Sequence, residues 1–464
     1  MSRLYVSAIS KSCGKTTLSL GMAAALSARG LKVQPFKKGP DYIDPMWLGR
    51  AAGRTCYNLD FNTQTHEEIV ALCAGAAVDA DLALVEGNKG LHDGVDTLGK
   101  DSSAALAKLL GAPVVVVVDA MGMGRGVAPM LLGYKNFDPD VSIAGVILNK
   151  VGSARQESKL RSAIETYTDL KIVGAVGRDR ELAVSERHLG LTTPQECLDA
   201  APLIARASDA VAAGVNLDAL LQAASRAKIF RAPPHLRVCR APDVAIAVAR
   251  DAAFGFYYPD DLNALAQAGA KLVFFDALRD ENLPDCDGLL IGGGFPETSA
   301  AALSANKNLR EDIRAALAGG LPCYAECGGM MYLSRSITFK GETHAMVGAL
   351  PADAVMGPRP QGKGLVRVEP TLDCPWEMFP GQTIAAHEFH YARMENVDPG
   401  LRYAWKVRRG YGIDGFRDGM VVGNTLAGFA HLRDTSRLRW AENFVNFVRA
   451  QKHLARRQPA QLRA

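Results

Sequence analysis

Leu4-Tyr-Val-Ser-Ala-Ile-Ser-Lys-Ser-Cys-Gly14-Lys15-Thr16-Thr17-Leu-Ser-Leu-Gly-Met-Ala-Ala-Ala-Leu26 reads as a strand, a turn and a helix in that order. A turn carrying Gly-Lys-Thr between a strand and a helix is a phosphate cradle. Backbone amides and the helix N-terminus face the phosphates, Lys15 bridges the terminal ones, and the Thr16 hydroxyl reaches Mg²⁺. Ser12, Gly14, Lys15, Thr16 and Thr17 are therefore the expected ATP-phosphate residues. The motif is incomplete: its usual first glycine is absent around Ala8 and Ile9, and Ser12 stands where a glycine is common. Its place at the first strand-to-helix turn is what supports it.

Outward from this unit the pattern repeats. Leu4 to Ile9, Val33 to Phe36, Leu82 to Val85, Val114 to Val118, Ile143 to Leu148 and Ile172 to Ala175 are predicted strands, separated by helical stretches such as Ser102 to Leu110. Such alternation predicts a parallel sheet covered by helices, with ligands at the carboxyl ends of its strands. Glu86, Asp119 and Asn149 fall at those ends. Asn149 is expected near the nucleotide base, with a helix-capping strand end as the alternative. A first α/β body over 1–195, an alanine-rich helical linker over 196–242 containing Arg231-Ala-Pro-Pro234, a second α/β body over 243–452 opening with Val244 to Val248, and a frayed basic tail over 453–464 with Arg456, Arg457 and Arg463 complete the expected organisation.

Two loops at these strand ends are acidic. Lys37-Lys-Gly-Pro-Asp41-Tyr-Ile-Asp44-Pro follows the second predicted strand, and Glu86-Gly-Asn88-Lys89-Gly-Leu-His-Asp93-Gly the third. Carboxylates beside a P-loop hold Mg²⁺ directly or through water, because the ion prefers oxygen ligands. Thr16, Asp44 and Glu86 form the expected metal set. The alternative is that Asp41 and Asp44 only stabilise a proline-containing turn.

The second body carries a different signal, Tyr324-Ala-Glu-Cys327-Gly-Gly-Met-Met-Tyr332. A cysteine between a short apolar strand and a glycine pair that opens a helix predicts a nucleophile elbow whose surroundings favour a thiolate. Gly328 and Gly329, lacking Cβ atoms, are expected to permit the sharp turn. Upstream, Asp287 to Ile291 reads as a buried strand running into Gly292-Gly-Gly-Phe-Pro-Glu297, so the amides of Gly293, Gly294 and Gly328 are the expected oxyanion donors. Downstream, Ala427-Gly-Phe-Ala-His431 offers the catalytic imidazole. Cys327 as one more small buried apolar residue is the bland alternative.

Composition narrows the class. The 464 residues exceed one ordinary core, which predicts two domains of roughly 200 residues. Nine cysteines without paired Cys-x-x-Cys spacing point to free thiols in a reducing compartment, hence a cytoplasmic location. The longest apolar run, Ala112 to Val118, is far below the roughly 20 residues that cross a bilayer, so no membrane partner is expected. A formal charge of +4 is too small for a nucleic-acid footprint.

Taken in order, Gly14-Lys15-Thr16-Thr17, Val33 to Asp44, Asn58-Leu-Asp60, Glu86 with Asp93, Ala107 to Val114, Phe137-Asp-Pro, Gly145 to Asn149, Glu186-Arg-His-Leu-Gly-Leu191, Gly292 to Glu297, Tyr324 to Gly329 and His387-Glu-Phe-His390-Tyr391 resemble the cobyrinic acid/hydrogenobyrinic acid a,c-diamide synthase family, over nearly the whole chain. The resemblance implies a dethiobiotin-synthetase-like P-loop domain followed by a class I glutamine amidotransferase domain. It also implies ATP and L-glutamine as co-substrates, Mg²⁺, and a tetrapyrrole whose a and c acetates become amides. Asp41, Asp44, Glu86 and Asp93 match family positions tied to metal, substrate or intermediate, and Tyr42 and Lys89 are placed with the substrate. A homodimer stays open.

The chain departs from the family at His431-Leu-Arg433, where members often show His-x-His, and at Asn88-Lys89, where apolar residues are common. A third, acidic member of the glutaminase triad is not visible. His387 and His390 read as a structural or interdomain motif. A sirohaem or sirohydrochlorin amidase of the same family is the alternative substrate reading. A partition-type P-loop ATPase leaves Cys327 unexplained, and a cysteine hydrolase leaves Lys15 unexplained.

Overall fold

The computed structural model describes residues 1–179, 181–182, 186–187, 190–197, 199–228, 239–376 and 381–461. It divides into two compact units, Met1–His235 and Leu236–Ala464. Arg231 to Pro234, His188, Leu189 and Arg463 lie outside the described residues.

In the first unit β1 (Ser2–Ala8), β2 (Val33–Lys38), β3 (Tyr57–Leu59), β4 (Leu82–Glu86), β5 (Val114–Asp119), β6 (Ile143–Val151) and β7 (Ile172–Gly177) form one sheet in the order β3-β2-β4-β1-β5-β6-β7. Every neighbouring pair is parallel. Strands buried on both faces read as unbroken apolar runs, and Val114 to Val118 are fully buried. The expected strands are all present; β3, three residues long, is too short to show a period. Because the chain fills positions on one side of β1 before crossing to β5, the carboxyl end of β1 is the crevice where this architecture binds ligands. Helix α1 (Lys15–Ala28) starts there, with α2 (Ile43–Ala52) after β2.

The helices of the 196–242 stretch are not spacers. Ala200–Gly214 and Leu217–Ala224 pack on the first unit, so closely that a Cβ on Gly21 of α1 would lie 2.3 Å from the Ala207 carbonyl oxygen. The alanines read as a linker because small residues make a weak amphipathic pattern; here they permit close backbone approach. The expected frayed tail also differs, since the backbone stays helical over Trp440–Gln461.

The second unit holds a nine-stranded sheet. Ala270–Phe275, Val244–Ala249, Gly288–Ile291, Cys323–Glu326 and Thr425–Gly428 run parallel, and Arg417–Val422, Arg402–Arg409, Gly362–Pro370 and Ile384–His390 continue it antiparallel. The parallel pairing of Cys323–Glu326 with both neighbours brings the loops after Ile291, Glu326 and Gly428 to one end of the sheet. Among the described residues, no helix is long and apolar enough to cross a membrane.

Candidate active sites

Cys327 sits between the strand Cys323–Glu326 and the helix Gly328–Leu333 with φ 48 and ψ −102. A non-glycine residue in such a conformation stores on the order of 1–3 kcal/mol. The strain therefore falls on the cysteine itself, while Gly328 and Gly329 have the role expected of residues without a Cβ. They give room. A Cβ on Gly328 would lie 2.8 Å from Pro296 Cδ and 3.0 Å from the Gly294 amide nitrogen; one on Gly329 would lie 2.2 Å from the Ile291 carbonyl oxygen. Gly294 and Gly328 thus meet beside Cys327. Gly293 abuts the imidazole, since a Cβ there would lie 2.7 Å from His431 Cε1. The Tyr257 hydroxyl accepts from the Gly292 amide at 2.8 Å and so holds the start of that loop.

His431 is buried and boxed on several sides. Its Nδ1 is 3.1 Å from Glu326 Oε2, which leaves Nε2 as the ring atom for Cys327. Glu326 Oε1 accepts from the Tyr324 hydroxyl at 2.6 Å and the Leu432 amide at 3.0 Å, so the carboxylate is itself held. Burial alone would lower the His431 pKa, but its bonds to Cys327 and Glu326 push it up to about 10. The His387 ring stacks on His431 with centroids 4.9 Å apart. Burial and the His431 charge hold His387 well below the usual histidine range, so it acts as a neutral plate. Arg433, two residues after His431, lies 4.7 Å over the Tyr258 ring and pairs with Asp260 at 2.9 Å. Tyr258 in turn reaches His387 Nδ1 at 3.4 Å. His390 is stacked on Phe429 at 3.6 Å and bonds the Ala392 carbonyl at 2.7 Å, a structural position inside the second unit.

A carboxylate to which the sequence reading gave no role, Glu326, thus meets His431 and is adjacent to Cys327. It was hidden because a carboxylate is usually sought after the histidine, whereas strand pairing delivers this one from the neighbouring strand. Its place directly before Cys327 in Tyr324-Ala-Glu-Cys327 was the available signal.

In the first unit Gly14, at φ 80, caps α1 without a side-chain bond, so the first helical amides face the crevice. Thr16 Oγ1 donates to Glu86 Oε1 at 2.9 Å and reaches Asp44 Oδ2 at 3.4 Å. Lys15 Nζ reaches the Lys89 carbonyl oxygen at 3.4 Å, tying the P-loop to the loop after β4. Ser12 has φ 62, and its carbonyl accepts from Lys150 Nζ at 2.7 Å. Lys150 also pairs with Asp119 at 2.7 Å. Thr17 Oγ1 points to the Leu182 carbonyl at 3.4 Å.

Asn149 lies inside β6, and its amide donates to the Cys13 carbonyl at 2.8 Å, so in this structure it braces the P-loop. Asp41 accepts from the Ile43 and Asp44 amides, each at 3.0 Å, and thereby caps α2, with Tyr42 buried between. Asp93 accepts from Gly90 at 2.9 Å and closes its own loop. The turn-stabilising alternative therefore describes Asp41, while Asp44 and Glu86 face the Thr16 hydroxyl.

At the centre of the acids is Lys37, which the sequence reading quoted but gave no role. Its buried Nζ pairs with Asp44, with Glu86 Oε1 at 2.7 Å and with Asp41 at 3.8 Å. Burial would lower its pKa, but these acids hold it well above the usual lysine range. Conversely, Lys37 keeps Asp44 low against the upward push of burial. Glu86 Oε2 is buried without a hydrogen-bond partner. Thr16, Asp44 and Glu86 offer only oxygens, and that orphaned carboxylate oxygen suits a hard cation. Among the described residues no group of three or more His, Cys, Asp or Glu could hold a metal ion. The fit is thus to an ion such as Mg²⁺ that keeps waters and shares nucleotide phosphates.

Residues 6–191 match the CobQ/CobB/MinD/ParA nucleotide binding domain, and residues 245–437 the CobB/CobQ-like glutamine amidotransferase domain. The cobyrinate a,c-diamide synthase of Magnetococcus marinus is 44% identical over 454 residues, covering 96% of this chain and 97% of that protein. The proteins of the same name from Methanosarcina barkeri and Archaeoglobus fulgidus are 39% and 40% identical, each alignment covering 96% of both chains.

Proposed function

The chain belongs to the cobyrinate a,c-diamide synthase family, and on that premise we propose that Cys327, His431 and Glu326 release ammonia from glutamine while the cluster around Lys15 and Lys37 activates the acceptor carboxylate. It is a glutamine-dependent amide ligase that amidates the a and c acetates of cobyrinic or hydrogenobyrinic acid at the expense of ATP. The relatives favour this substrate over the sirohaem alternative. The observation that carries the proposal is the strained Cys327 beside a histidine fixed by Glu326.

The Cys327 thiolate attacks the glutamine carboxamide carbon, and the developing oxyanion is met by the amides of Gly294 and Gly328, with Gly293 lining the same loop. His431, protonated at Nε2 and oriented through Nδ1, gives its proton to the departing ammonia. Water, deprotonated by His431, then cleaves the thioester to glutamate and restores the thiolate. In the other unit a substrate carboxylate oxygen attacks the γ-phosphorus of ATP, ADP leaves, and ammonia displaces phosphate from the acyl phosphate to give the amide. Lys15 and the α1 amides hold the phosphates, and Lys37 places a second positive charge beside them. Thr16, Asp44 and Glu86 would hold Mg²⁺, which when bound with ATP offsets charge on the transferred phosphoryl oxygens. Asn149 and Ser12 shape the cradle, Asp41 and Asp93 set the two loops, and Tyr42 and Lys89 line the substrate side. Action in the cytoplasm and a homodimeric state belong to the same proposal.

Incubating the enzyme with ATP, glutamine and either cobyrinic acid or sirohaem, then weighing the products, tests this directly, because each amidation exchanges a hydroxyl for an amino group. Amidated sirohaem with untouched cobyrinic acid would overturn the substrate.

Replacing Glu326 by glutamine is expected to slow glutamine hydrolysis about 10²–10⁴-fold, while ammonia-supported synthesis persists. The carboxylate helps hold His431 protonated up to about 10. Its loss lowers that pKa, so the imidazolium that protonates ammonia disappears at lower pH. The alkaline limb of the glutaminase profile should shift downward; an unmoved limb would remove Glu326 from the orienting role.

Asp44→Asn and Glu86→Gln should each slow synthesis at least about 100-fold through lost transition-state electrostatics, with glutamine hydrolysis far less affected. Parallel loss of both activities would point to misfolding.

A further inference from the structure

Successive side chains of a strand point to opposite faces, so the pair Lys37-Lys38 at the end of β2 is split. Lys37 joins Asp44, Glu86 and Asp41 on the P-loop side. Lys38 turns the other way, is only 6% exposed, and donates through Nζ to Asn88 Oδ1 at 2.9 Å. Among the described residues no carboxylate forms an ion pair with it. The acids whose charge acts on Lys38 are Asp101 and Asp60, and both are engaged as turn caps. Asp101 accepts from the Val95 amide at 2.9 Å and the Asp96 amide at 3.0 Å; Asp60 accepts from Asn62 at 3.0 Å and Thr63 at 3.1 Å.

A buried ammonium without a counter-charge is costly, and burial pulls the Lys38 pKa down to about 8. A second cation acts on it. Lys89, exposed and in the left-handed region at φ 46, follows Asn88 directly, and its charge acts unfavourably on Lys38. Lys38 at the end of β2, without an ion-paired carboxylate among the described residues, and Lys89 in the loop after β4 together suit a carboxylate.

We infer that Lys38, held by Asn88 and assisted by Lys89, anchors a carboxylate of the macrocycle other than the one being phosphorylated. This rests on the tetrapyrrole reading above. On one face of the end of β2, Lys15 serves the phosphates while Lys37 holds Asp44 and Glu86, and on the other Lys38 grips a second acidic side chain of the ring. The placement explains why consecutive lysines are useful here: one faces the chemistry and the other sets the position of the ring.

The test is a titration of the full-length protein with cobyrinic acid in the absence of ATP and glutamine, followed by absorbance, for the parent and for Lys38→Met, Lys38→Arg and Lys89→Met. ATP binding is measured in parallel. Lys38→Met is expected to weaken ring binding about ten-fold or more, the scale of a lost charge-assisted hydrogen bond. Lys38→Arg should recover most of it, Lys89→Met should lose less, and ATP affinity should stay unchanged. Parental ring affinity in Lys38→Met overturns the inference, as does an equal loss of ATP binding, which would make Lys38 a phosphate ligand, or no recovery with arginine. A parent protein that binds no cobyrinic acid overturns the tetrapyrrole reading itself, and the inference with it.

Discussion

Cys327→Ala is expected to abolish glutamine-supported amidation, by roughly four orders of magnitude or more as for removal of other catalytic nucleophiles, while synthesis from high ammonia continues. Only the thiolate can form the glutamyl thioester, and among the described residues Cys327 is the cysteine bonded to His431. The substitution is structurally mild. Alanine inherits the same φ of 48, so it adds no backbone strain, and only a sulfur is removed from the pocket. Glutamate release and product mass, measured with glutamine and with ammonium chloride, check the outcome. Full glutamine-dependent turnover in the variant would end the assignment of Cys327.

Lys15→Ala is expected to eliminate synthesis with either nitrogen donor. The lost charge faces the transferred phosphoryl group, where preorganised positive charge contributes several kcal/mol, or on the order of 10²–10³-fold in rate. Lys37 does not substitute, because its ammonium is already committed to Asp44 and Glu86. Glutamine hydrolysis, which depends on the other unit, should survive and serves as the folding control. An unchanged ammonia-dependent rate would mean that ATP binds elsewhere.

Contrasting these two variants separates the half-reactions. The cysteine variant loses the nitrogen source alone, and the lysine variant loses carboxylate activation whatever the source.

Much of this was legible in the chain because it is local. A strand, Gly14-Lys15-Thr16 and a helix specify a phosphate cradle within a few residues, and the alternation from Leu4 to Ala175 specifies a parallel sheet. Cys327 between an apolar strand and Gly328-Gly329 specifies an elbow. There the glycines give the room expected of them, against Pro296, Gly294 and Ile291, and the positive φ falls on Cys327 itself, which the chain did not disclose. Asn149 shows the same limit, since a polar residue at a strand end does not disclose that its amide meets Cys13.

The sequence by itself thus determined the alternating strands of the first body, the two α/β bodies and the strand-turn-helix units around Gly14 and Cys327, all of which rest on neighbours in the chain. Tertiary structure alone decided partners that are remote in sequence. Strand order put Lys37 of β2 beside Glu86 of β4, and the pairing of Cys323–Glu326 with Thr425–Gly428 put Glu326 under His431. The alanine-rich helices joined the first unit because Gly21 admits Ala207. The physical reason is common to all three: periodicity says which face a side chain takes, but the group it meets there depends on strand order, register and close packing, which no local pattern encodes.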